Sequence, residues 1–151
     1  MESSSQSMSM GTTIGKFSSE FFQVSTPDGR NCTLLKKEWF KRPDSVGGEI
    51  IELPAGATSD GATTPAAIWW GGFTPFGPWW KASFIHDWLY RQTHRTKEFC
   101  DLVFYEAMVA SGVPESRARW FYNGVVEGGF HAFAEDRAAL ALIEERKGGA
   151  V

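Results

Sequence analysis

His86 and Asp87 stand side by side in an otherwise apolar and aromatic run, Phe84-Ile85-His86-Asp87-Trp88-Leu89-Tyr90-Arg91. Asp101 follows fifteen residues after His86, in Phe99-Cys100-Asp101-Leu102-Val103-Phe104. Polar groups in such surroundings must find partners or cost stability. A carboxylate that accepts a hydrogen from one imidazole nitrogen fixes the tautomer. The other nitrogen is then a general base for water. Tyr90, four residues after His86, shares its helical face, so its hydroxyl is in reach of Asp101. Asp87 points about 100° away. Two readings of Asp87 stand. Arg91 can pair with it at helical i,i+4 spacing. Alternatively, its carboxylate and carbonyls of a nearby Gly-rich loop can hold a hard cation such as Ca²⁺. The cation would stabilise the oxyanion formed when water attacks an ester. Without chemistry, the same set is a buried His-Asp-Tyr network that pins two helices together.

Other candidates are weaker. In Ser59-Asp60-Gly61-Ala62-Thr63-Thr64-Pro65 the Asp-Gly pair signals a turn. Asp60 can accept loop amides, cap a short helical turn at Pro65, or supply a further carboxylate, and hence a metal ligand, to the site. His94 beside Arg95 falls in a predicted turn and is expected to be exposed. His131 follows Gly-Gly-Phe with no clear carboxylate partner. The histidine spacing does not match a zinc protease. No Gly-x-Ser-x-Gly elbow is present. Cys100 lies in an apolar helical run, where a thiol is a poor nucleophile.

The elements that must position these residues follow from pattern and punctuation. Trp79 to about Thr93 and Thr96 to Ala110 read as helices, with Thr96 as N-cap and Gly112 as the stop. The short connection at 93–95 makes them an antiparallel hairpin. His86 is eight residues before His94 and Asp101 seven after it, each about 10–12 Å from the turn, so the two are level. A third helix starts with Pro114 in its first turn and runs to Gly128 or Gly129. A fourth, amphipathic helix covers Ala132 to Lys147.

Upstream, Phe17–Val24, Asn31–Phe40 and Glu49–Leu53 read as strands of a small antiparallel sheet of two to four strands. Thr26-Pro27-Asp28-Gly29 is a turn and Pro54 ends the last strand. Residues 54–78 form a long Gly/Pro/aromatic loop, with one helical turn at Pro65–Trp69; such loops are usually functional. Residues 1–15 read as a flexible arm and 16–151 as a single domain. The order of strands, loop and helices defines an α+β class.

Bulk properties narrow the function. The chain has 151 residues, 42% hydrophobic and 22% charged, the composition of a globular protein with a real core. The net charge is -3, without a long Lys/Arg block, so nucleic acid is not expected as the main partner. Lys36, Lys37, Lys41 and Arg42 read as a solvated basic face. Two cysteines, Cys32 and Cys100, make no disulfide framework and argue for a reducing compartment. The start of the chain has no basic, apolar leader, and no run is long enough to span a membrane.

Asp60-Gly61-Ala62-Thr63-Thr64-Pro65, Pro75-Phe76-Gly77, His86-Asp87-Trp88-Leu89-Tyr90-Arg91 and Lys97-Glu98-Phe99-Cys100-Asp101, with Phe104 and Met108, resemble the family called domain of unknown function 1353. That family is common in tailed-phage genomes, and the resemblance covers roughly residues 50 to 125. It implies a phage or prophage source, with the protein in the host cytoplasm or virion, and no established chemistry. His86, Asp87 and Tyr90 also resemble the His-Asp-x-x-Tyr helix of the phospholipase A2 superfamily. Asp101 and Phe104 resemble its later Asp-x-x-Phe. This second resemblance implies His86 as base, Asp87 as Ca²⁺ ligand, and Tyr90 and Asp101 as the supporting network. The protein would be a lipid or ester hydrolase acting in lysis or entry. Trp69, Trp70, Phe73, Phe76, Trp79 and Trp80 would form a rim against a lipid or membrane surface. The alternative is a non-enzymatic virion, assembly or host-interaction protein that binds other phage proteins and uses the network only as a pin.

Overall fold

The computed structural model describes residues 14–25, 27, 32–59 and 80–149. Its six short strands are β1 (Lys16–Phe17), β2 (Gln23–Ser25), β3 (Cys32–Leu34), β4 (Glu38–Lys41), β5 (Ile50–Leu53) and β6 (Thr58–Ser59). They form two antiparallel sheets, in the orders β1-β4-β5 and β2-β3-β6. The helices are α1 (Trp80–Gln92), α2 (Lys97–Ala110), α3 (Glu115–Gly128) and α4 (Phe130–Gly149). The class is α+β, as the order of patterns indicated.

The strands are more broken than expected. Phe17–Val24 and Asn31–Phe40 are each two strands, split between the two sheets. The buried carboxylate of Glu38 explains the first break. It accepts from Ser18 Oγ at 2.7 Å, Ser19 Oγ at 2.8 Å and the Phe22 amide at 2.9 Å. Gathering those donors bends the chain out of strand geometry, and Phe21 takes a φ of 62°. That left-handed conformation is uncommon for a bulky residue and is maintained here by the contacts around it. The second break, at Leu35–Lys37, exposes all three side chains before β4 begins. β5 keeps strict alternation, with Ile51 and Leu53 inward and Ile50 and Glu52 outward. β6 is a correction as well, since it falls in a stretch read as irregular.

Helix boundaries lie close to those expected. Thr96 caps α2, its Oγ1 accepting from the Phe99 amide at 3.1 Å. Gly112 follows α2 at φ 92°, where a side chain would be strained. Pro114 sits at the N-cap of α3, just outside the helix. α4 begins two residues earlier than its pattern suggested. At the α3–α4 corner, a Cβ on Gly129 would lie 2.6 Å from the Val125 carbonyl and 2.9 Å from the Tyr90 hydroxyl. Only a glycine lets that corner close onto α1.

α1 is buried nearly all round, packed against α2 and α4 and touching β6. The core joins Phe40, Leu34 and Leu53 of the sheets to Phe84, Ile85, Leu89, Phe104 and Met108 of the helical hairpin. Arg42 of the supposed solvated face is buried. It makes a two-pronged pair with Glu106, at 2.7 and 2.9 Å, fastening the end of β4 to α2. α4 lies on α1 through Phe133 and Arg137, and its Leu140 is buried. Arg137 donates to the carbonyls of Leu89 and Tyr90, near the α1 C-terminus, and to that of Arg95. Beyond Leu140 its residues through Gly148 are exposed. Among the described residues no helix is long and apolar enough to cross a membrane.

Candidate functional site

The antiparallel hairpin brings His86 and Asp101 together at the level their distances from the turn required. His86 Nε2 and Asp101 Oδ1 are 2.8 Å apart, and both side chains are buried, at 2% and 1% exposure. Tyr90 donates its hydroxyl to the same oxygen at 2.7 Å. The imidazole has two ring neighbours, Tyr90 at 4.2 Å and Phe104 at 4.7 Å, centre to centre.

Lys97 completes the group and was not anticipated. Its ammonium donates to Asp101 Oδ2 at 2.7 Å and to the Val125 and Val126 carbonyls at 2.8 and 3.1 Å. The signal was available, since Lys97 and Asp101 stand at helical i,i+4 spacing.

The electrostatics follow. Burial pushes the Asp101 carboxyl up. Hydrogen bonds and charge from His86, with the hydrogen bonds of Lys97 and Tyr90, outweigh it and hold the group below the usual carboxylate range. Asp101 is therefore ionised at neutral pH and can only accept. The proton between it and a neutral His86 then belongs to Nε2, and Nδ1 keeps its lone pair. Burial, reinforced by Asp101, raises the Tyr90 phenol, so it stays a donor. Cys100 has its thiol pushed up to about 12, chiefly by burial, and is no nucleophile.

Asp87 takes the other direction around α1. Its Oδ1 is 3.0 Å from Arg91 Nε, and its Oδ2 accepts from Ser59 Oγ at 2.9 Å. Arg91 also approaches Asp136 at 3.7 Å. A hard cation would need about six to eight oxygen ligands. Among the described residues, the carboxylate of Asp87 is engaged by the Arg91 guanidinium and the Ser59 hydroxyl. Among the described residues no three His, Cys, Asp or Glu side chains are grouped to hold a metal. Asp60, the other expected ligand, lies outside the described residues, as do the Pro65–Trp69 turn and the aromatics Trp69, Trp70, Phe73, Phe76 and Trp79. Trp80 is described and packs edge-on against Phe21 and Phe84. His94 is exposed as expected, 2.7 Å from Glu144. His131 does have a carboxylate partner, Glu135 at 3.4 Å.

Fold and site together define an α+β protein whose helical hairpin encloses a His-Asp-Tyr-Lys cluster. Residues 33–125 match the family described as Protein of unknown function (DUF1353), and the chain belongs to that family. It is also similar to the Uncharacterized protein y4jT of Sinorhizobium fredii (strain NBRC 101917 / NGR234), 37% identical over 87 residues. That alignment covers 57% of this chain and 26% of the relative's length. No solved structure matches the chain.

Proposed function

We propose that the chain is a hydrolase in which His86 acts as general base toward a water that attacks an ester. The observation that carries this reading is the 2.8 Å contact between His86 Nε2 and an ionised Asp101. Asp101 holds the proton on Nε2, leaving Nδ1 to take one from water. The same carboxylate stabilises the imidazolium that results. Tyr90 and Phe104 fix the plane of the ring. A lipid or related ester accords with the His-Asp-x-x-Tyr pattern on α1 and the Asp-x-x-Phe pattern on α2. A phage setting, with action in lysis or entry, rests on resemblance alone. The described contacts of Asp87 give no support to a calcium role.

The test is turnover of short-chain aryl esters and phospholipid vesicles, with and without a chelator, by the wild type and His86→Ala. Positioned general bases contribute about 10²–10⁴-fold, so a loss of that order is expected in the variant, with wild-type activity surviving chelation. Absence of turnover on every ester class would end the proposal.

A second reading has its own support. Lys97 neutralises Asp101, and Arg91 with Ser59 engages Asp87. Carboxylates so matched suit a pin between helices in a non-enzymatic assembly or host-interaction protein. His86→Ala destabilises the fold under both readings, so turnover is what separates them.

A further inference from the structure

An ammonium group has three hydrogens to donate. Lys97 has three acceptors within reach: Asp101 Oδ2 and the carbonyls of Val125 and Val126. The side chain is 6% exposed, and the Phe130 ring lies over the ammonium at 4.4 Å. The two carbonyls belong to the last turn of α3, the end of the helix that carries partial negative charge, and that of Val125 also accepts from the Gly129 amide at 2.9 Å. The cation is thus matched by a carboxylate on one side and a helix end on the other.

We infer that Lys97 is a positioning residue for the His86 base, setting the orientation of Asp101 from the end of α3. This rests on the reading of His86 as a base. The reason is torsional. The last rotation of an aspartate side chain has a broad, shallow preference, so burial alone does not aim its oxygens. Lys97 occupies Oδ2 and is itself anchored to a helix end. That leaves Oδ1 facing both His86 Nε2 and Tyr90 Oη. The tautomer of His86 therefore depends on the α3–α4 corner, reached through Lys97 and Asp101.

The experiment is long-range ¹H–¹⁵N NMR of the His86 ring in the full chain, near neutral pH, for the wild type, Lys97→Met and Lys97→Arg. The wild type should give two widely separated nitrogen resonances, the signature of a single tautomer protonated at Nε2. In Lys97→Met that separation should collapse, while Lys97→Arg, which keeps charge and donors, should restore most of it. A folded Lys97→Met protein with wild-type imidazole shifts overturns the inference. Should that variant fail to fold, the Lys97 Nζ resonance of the wild type decides. It must move as His86 is titrated, and a stationary signal overturns the inference. Ester turnover is read separately, so a failed hydrolase reading remains distinguishable from a failed positioning role.

Discussion

Replacing Asp101 by Asn keeps the shape of the side chain and removes its charge. The native carboxylate accepts from His86 at 2.8 Å, Tyr90 at 2.7 Å and Lys97 at 2.7 Å. An amide has one oxygen for those three donors, and its nitrogen is itself a donor. With His86 in its native tautomer, at least one of His86 Nε2–H and the Lys97 ammonium must then face another donor in a buried site. Removing one partner of a buried ion pair costs about 3–5 kcal/mol. At about 2–4 °C per kcal/mol for a chain of this size, melting should fall by roughly 6–20 °C. The assay is circular dichroism melting at neutral pH. Lys97→Met alone should cost a comparable amount, but the Lys97→Met/Asp101→Asn double variant removes both charges together. It should lose less than the sum of the singles, with a coupling energy of about 1–3 kcal/mol. Additivity within about 0.5 kcal/mol would refute the picture of a shared, desolvated pair, as would a melting change of under about 2 °C in Asp101→Asn.

Three other outcomes follow from the geometry. Burial raises the Glu38 carboxyl, but Ser18, the Phe22 amide and Ser19 outweigh it, so it titrates below its ordinary range. The unfolded chain then takes up the proton first: Glu38 contributes its full stability above roughly pH 4–5 and loses it on acidification. Glu38→Gln should lower the neutral-pH melting temperature and make its acid limb shallower, as read by melts across pH. Gly129→Ala forces a Cβ against the Val125 carbonyl and Tyr90 Oη and should cost about 1–3 kcal/mol in urea unfolding. Thr96→Ala removes the α2 cap and should cost about 1 kcal/mol by the same measurement.

What the sequence could and could not disclose divides along physical lines. The hairpin pairing was legible because helical rise and a short connection fix the level of His86 and Asp101 with no tertiary information. The Thr96 cap and the Gly112 stop were legible for the same reason, being rules of one chain segment. The break after Phe17 was not, because it depends on Glu38 gathering donors from sixteen to twenty residues earlier. Arg42 was misplaced since its partner, Glu106, lies 64 residues away. Lys97 stood at a readable spacing, yet its anchors are backbone carbonyls, which no side-chain pattern advertises. Asp87 was legible as a choice between Arg91 and a cation. Its contact with Ser59 required knowing that β6 runs beside α1.

Consecutive residues of α1 reach into different neighbours, His86 to α2 and Asp87 to Ser59 of β6. Helical geometry sets their side chains about 100° apart, so the two attachments work like a key cut on two sides. A roll of the helix about its axis that improved one contact would break the other. Exchanging the two side chains would keep the composition and the charge yet present each neighbour with the wrong group. The angular setting of the segment is thus encoded twice, once by each layer, and cannot drift toward either alone.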